Sequence, residues 1–229
     1  MKKLLLLLVL PFAVASCTFN INGGKTVKCK GPVETRVEQP EAFQAVELNG
    51  GFDVKMVDGP CGVKVVANNE AFDYLSIYTR EDGTLVVETK DNAVIVADTC
   101  DIIISSDMFR KIAVNGAIDL DYAYARESTE PLTIEINGAG DMDIKNFNGP
   151  ALSVTVNGAA DMEISGLYTQ DVSIAINGAG DVDIEGEADY VTLSVSGAGE
   201  IDASRLVTKN KPQITTAGLA SVKAPQVVQ

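Results

Sequence analysis

Ten carboxylates recur at nearly constant spacing in two interleaved sets. Asp119, Asp141, Asp161, Asp181 and Glu200 form one set, and Asp121, Asp143, Glu163, Asp183 and Asp202, each two residues further on, form the other. Oxygen-only side chains at this density are what a hard cation such as Ca2+ selects. Paired acids also serve glycoside hydrolysis, and calcium-held acids beside an Arg or Lys base serve polysaccharide cleavage. The cations available to such a site are Arg126, Lys145 and Arg205, at non-equivalent offsets from the acids. A catalytic pair should interrupt a repeat, whereas these ten acids repeat, so no catalytic residue is assigned. Two readings stay open: solvated acidic columns, or columns bridged by calcium as an optional ion. Tyr122, Tyr124, Tyr168 and Tyr190 are either sugar-stacking faces or filler.

Composition narrows the chemistry further. The 229 residues contain no His and no Trp. Ser-His and Cys-His catalysis and His-ligated zinc are therefore excluded. A formal charge of −14 argues against nucleic acid, whose backbone requires clustered Lys and Arg.

The acids sit in a phrase that returns five times: NGAIDLD from Asn115, NGAGDMD from Asn137, NGAADME from Asn157, NGAGDVD from Asn177 and SGAGEID from Ser196, at steps of 22, 20, 20 and 19 residues. Leu132, Ile134 and Ile136 share one parity before the Gly-rich corner, and Met142 and Ile144 share one after it, so each flank predicts a half-buried strand. A period near 20 with one strand pattern predicts stacked coils, a β-solenoid in which like residues form columns about 4.8 Å apart. Neighbouring unit charges at that spacing repel by about 0.9 kcal/mol in bulk water. The corner glycines, Gly116 through Gly197, would supply positive φ. Asn115, Asn137, Asn157 and Asn177 would form an amide ladder.

The remaining chain divides around this array. Residues 1–16 read as a lipoprotein signal peptide: Lys2-Lys3, an apolar run too short to span a membrane, then Val14-Ala15-Ser16 before Cys17. This resembles a bacterial lipobox and makes Cys17 the candidate lipidation site and membrane anchor. Residues 17–35 are expected to be a flexible tether, 36–110 a less regular, partly antiparallel β cap with a hairpin at Glu81-Asp82-Gly83, and 111–229 the solenoid, continuous with the cap. Asn49-Gly50-Gly51 looks like a degenerate copy of the later corner. Ile214, Leu219 and Val222, around a Thr215-Thr216-Ala217-Gly218 corner, read either as a last poor coil or as a frayed tail. Cys61 and Cys100, both near predicted strand ends, are a candidate disulfide or two buried thiols. Cys29 is expected to be free.

The lipobox, the opening FQAVELNGGFDVKM, the hairpin LSIYTREDGTLVVET and the run of NGAGD-type corners together resemble the bacterial auto-transporter adhesin head, or GIN, domain family over roughly residues 40 to 225. The resemblance implies a single-stranded right-handed parallel β-helix of the pectin-lyase-like type and brings no catalytic residues. GAGDMDI and GAGDVDI also partly match calcium-binding nonapeptide rolls, although Ile118 and Ala160 replace the second Gly in two units. The expectation is a non-catalytic lipoprotein of the cell envelope, anchored to the outer membrane and facing the periplasm or the surface, that binds glycans or envelope proteins. The alternative is a calcium-dependent polysaccharide lyase or hydrolase.

Overall fold

The computed structural model describes residues 25–123 and 127–228. The leader, Cys17, Tyr124 and Arg126 lie outside the described residues. The strands are β1 (Thr26–Cys29), β2 (Val33–Glu38), β3 (Ala45–Asp58), β4 (Gly62–Asn68), β5 (Leu75–Thr79), β6 (Thr84–Thr89), β7 (Val94–Ala97), β8 (Cys100–Ser106), β9 (Lys111–Ala123), β10 (Leu132–Lys145), β11 (Asn148–Thr208), β12 (Gln213–Lys223) and β13 (Gln226–Val227). Two short 3-10 segments, Asn69–Asp73 and Lys90–Asn92, are the only helical turns among the described residues. The protein is all-β. Its main sheet is mixed and open, running β12-β11-β10-β9-β3-β8-β4-β2, with β1 and β7 forming a separate pair.

The repeat dictates the register. β10 pairs with β11 in parallel so that Leu132 meets Leu152, Asn137 meets Asn157 and Asp141 meets Asp161. β9 lies on the other side of β10, with Asn115 opposite Asn137 and Asp119 opposite Asp141. β3 continues the pile, placing the degenerate Asn49-Gly50-Gly51 opposite Asn115-Gly116-Ala117. Residues 213–223 are an ordered strand in register with residues 192–202, which settles the choice between coil and frayed tail.

One set of side chains fills the interior. Leu132, Ile134, Ile136, Met142 and Ile144 are buried, as are their counterparts Leu152, Val154, Val156, Met162 and Ile164. Parity is preserved through the corner, so the phrase is a bend inside an unbroken strand rather than a turn between two strands. Gly138, at φ +153°, shows why the bend needs glycine: a Cβ there would overlap the carbonyl group of Gly116 in the paired strand β9. Ile118 and Ala160, in line with Gly140, point into the core instead. The nonapeptide-roll likeness fails at those positions, because the side chains there are apolar and buried.

A second set of corners was not read from the sequence. Buried hydroxyls of Ser106, Ser128, Thr169 and Thr208 each donate to the carbonyl two residues on, at Met108, Glu130, Asp171 and Asn210. Each hydroxyl satisfies a backbone carbonyl at its corner.

The N-terminal part is partly antiparallel: β2 pairs with β4, β4 with β8, and β5 with β6 across Asp82-Gly83, while β3 runs parallel to β6 and β8. Part of the expected tether is different. Residues 26–29 and 33–38 are strands, because Thr26-Val27-Lys28-Cys29 alternates and finds an edge on β7.

Candidate functional site

The Gly-rich bend carries a polar ladder along one edge of the molecule. Asn177, Asn157, Asn137 and Asn115 each donate Nδ2 to the Oδ1 of the next Asn toward the N-terminus, at 3.0, 3.0, 3.0 and 2.8 Å, ending on Asn49. Asn49 donates in turn to Glu47 at 2.9 Å, and Arg80 holds the other oxygen of Glu47 at 2.7 Å. Every amide points the same way, so the chain of bonds polarises itself and ends on a carboxylate. The Asn49 hydrogen bond, with Arg80 behind it, holds the Glu47 carboxyl below its usual range.

The acidic columns form as the spacing predicts. Asp119, Asp141 and Asp161 are in register, and the structure extends this column to Asp53 and Asp101. Further along, the carboxylates grip the backbone of the next repeat: Asp161 Oδ1 accepts from the Asp181 amide and Asp181 Oδ1 from the Glu200 amide, each at 3.1 Å. Asp53 bears the crowding. Burial, then the charges of Asp119 and Asp101, push its carboxyl up.

The other column is closed by lysines. Lys55 meets Asp121 at 3.1 Å, Lys145 meets Asp143 at 2.9 Å, and Lys223 meets Asp202 at 2.8 Å and Glu200 at 2.6 Å. Lys223 and the Ser204 side chain hold the Asp202 carboxyl well below its usual range. The ten acids thus stack in line rather than converge. Among the described residues, no three His, Cys, Asp or Glu side chains group so as to hold a metal ion.

The elements needed for lyase chemistry are dispersed in the same way. Arg205 is bound to Glu185 at 2.7 Å, one coil below, and Lys145 is bound to Asp143. Tyr122 is 1 % exposed and packs edge-on against Phe109 in the core, which removes it as a sugar-stacking face. Tyr168 and Tyr190, at 62 % and 55 % exposure, do lie on the surface.

Cys61 and Cys100 are free and far apart. Gly62 pairs with Ser105 and Ala67 with Cys100, so they sit at opposite ends of one ladder. Five steps at about 3.3 Å separate those ends, well beyond the reach of a disulfide. Their positions near strand ends suggested a bond, but the ends belong to opposite sides of the sheet.

A cleft of about 550 Å³ opens at the hydroxyl-capped corners, where Asn148, Tyr168, Gln170, Glu187, Asp189 and Lys209 line it. Lys209 Nζ meets Asp189 Oδ1 at 2.7 Å. An exposed aromatic face beside amides and charges of both signs suits a ligand rich in hydroxyl or amide groups. The sequence offered only Tyr168 toward this cleft; the spacing of Ser128, Thr169 and Thr208 was the unused signal. A second, shallower groove of about 410 Å³ follows Asp141, Asp161 and Asp181. Among the described residues no helix is long and apolar enough to cross a membrane.

A family model described as "Putative auto-transporter adhesin, head GIN domain" matches residues 42–229. No curated protein matches the sequence. Among solved structures, a "putative adhesin" from Bacteroides fragilis NCTC 9343 is similar in fold, at 15% identity and a TM-score of 0.64, covering 86% of this chain and 99% of that one. A "putative lipid binding protein" from Parabacteroides distasonis ATCC 8503 shares 15% identity at a TM-score of 0.50, covering 87% of this chain and 100% of that one. Identity at this level establishes likeness of fold and nothing about ligands.

Proposed function

The chain belongs to the auto-transporter adhesin head, or GIN, domain family, and from that membership we propose that it is a non-catalytic, adhesin-like scaffold of the cell envelope that binds glycans or envelope proteins. Its architecture on this reading is a right-handed parallel β-helix of about 20 residues per coil. The in-register pairing of β3, β9, β10, β11 and β12 supports it.

The observation that carries the binding role is the cleft beside Tyr168. It is open, polar, flanked by an exposed ring, and built on corners locked by buried hydroxyls, so a ligand meets a preformed surface. A glycan and envelope-protein array, probed with the full chain and with Tyr168→Ala and Asp189→Asn, tests it. Binding that both variants retain in full would remove the cleft from consideration. The lyase alternative has less support, since Lys145 and Arg205 are both engaged by carboxylates.

Anchoring through a lipid on Cys17 completes the proposal. It is supported by the Val14-Ala15-Ser16-Cys17 sequence and by an adhesin family's association with the cell envelope or surface. Fatty-acid labelling that is lost in Cys17→Ala, together with release from the membrane fraction, is the expected result. Undiminished labelling of the variant would refute the assignment.

A further inference from the structure

Cys29 and Cys100, 71 residues apart in the sequence, lie in two segments that the fold joins. β1 runs parallel to β7 with Cys29 opposite Ala97, and Cys29 is fully buried. β8 begins at Cys100, opposite Ala67, an alanine with no exposed surface; cross-strand partners share a face, so Cys100 also points inward. Cys29 belongs to the apolar core and the half-buried Cys100 packs against that core, and each has an alanine as its strand neighbour, which leaves room for sulfur.

A single buried side chain ties the two segments to each other. Asn68 Nδ2 donates to the carbonyl of Gly31, two residues beyond Cys29, at 2.7 Å. Its Oδ1 accepts from the amides of Asp98 and Thr99, immediately before Cys100, at 3.0 and 3.1 Å. The Asn68 amide is bonded to the Thr99 carbonyl as well. Burial first, and then the charges of Asp53, Asp101 and Cys29, push the Cys100 thiol up to about 11.

We propose that Cys29 and Cys100 form a disulfide in an oxidising compartment, and that this bond pins β1 to the start of β8. β1 otherwise holds on through a four-residue ladder to β7, apart from the main sheet. The oxidant is a small-molecule or protein disulfide. One cysteine loses its proton and attacks the donor S–S bond, giving a mixed disulfide and one donor thiolate. The second cysteine, deprotonated in turn, displaces the other donor thiolate. The protein gains one S–S bond, the donor is reduced to two thiols, and the two protons go to these thiolates or to solvent. With the thiols buried and weakly acidic in the folded protein, exchange runs while β1 is undocked. The bond does not depend on the binding role proposed above.

The test equilibrates the full chain with oxidised glutathione, alkylates it, and maps peptides by mass, for wild type, Cys29→Ala, Cys61→Ala and Cys100→Ala. Wild type and Cys61→Ala should each yield one linked peptide pair carrying Cys29 and Cys100, two hydrogens lighter than the separate peptides. Reductant should lower the melting midpoint of these two by several degrees and leave Cys29→Ala and Cys100→Ala unmoved. Recovery of Cys29 and Cys100 from wild type on separate peptides, as free thiols or as glutathione adducts, overturns the proposal. So does a Cys61–Cys100 pair. Because the mapping is decisive on wild type alone, a variant that fails to fold does not blunt it.

Discussion

Gly138→Ala tests the stacking of the bends most directly. Gly138 sits at φ +153°, and a Cβ on it would lie 2.8 Å from the Gly116 carbonyl carbon and overlap the attached oxygen. Neither atom can yield, since both are backbone in a paired strand. Relief requires β9 and β10 to part locally, opening two or three ladder bonds at about 1 kcal/mol each. The backbone conformation adds about 1–3 kcal/mol. The expected loss is about 3–6 kcal/mol, a large share of the net stability of a domain. Gly83→Ala is the matched control: at φ +79° it carries the backbone cost, but nothing lies within 4 Å of its added methyl, so about 1–2 kcal/mol is expected. Urea unfolding followed by circular dichroism gives both values. A Gly138→Ala variant no less stable than Gly83→Ala would refute close coil-on-coil contact at the bend.

Asn157→Ala removes two exposed amide bonds from the middle of the ladder, and urea unfolding should show a loss of about 1–2 kcal/mol; a change near zero would mean that solvent replaces the ladder at no cost. Asp53→Asn should raise the melting temperature at neutral pH. The raised folded-state pKa of Asp53 means that its stability contribution is lost as pH rises from the ordinary carboxylate value through the folded one, so the benefit of the variant should disappear in acid. A benefit independent of pH would argue against charge crowding. Asp202 behaves oppositely: its depressed pKa gives stability that is present above the unfolded value and is lost as pH falls through the folded one, and Lys223→Met should shrink that acid-side loss in a pH series of melts. Millimolar calcium should leave the melting temperature unchanged, since the acids stack in line without converging; an upward shift would revive a bridging cation.

Much of the fold was legible because the chain states it five times. Apolar parity at Leu132, Ile134 and Ile136, restated one period later, leaves few arrangements other than stacking, and the Asn column followed from the same arithmetic. Three local features were settled only by partners outside the repeat. Tyr122, open between stacking face and filler, is filler, because Phe109 packs against it in the core. The tether segment proved to hold a strand because β7 offered an edge. Cys61 and Cys100 share a predicted environment yet sit at opposite ends of one ladder.

The sequence by itself determined the period, the buried parity, the residue types of every column and the need for glycine at the bend, since these are properties of a chain whose neighbours are copies of itself. Tertiary structure alone decided which lysines close the acidic column, how Ser128, Thr169 and Thr208 frame a cleft beside Tyr168, and that Asn68 ties the segment after Cys29 to the one before Cys100. Those contacts join segments that do not repeat one another, and no spacing rule along the chain encodes a meeting between unlike segments.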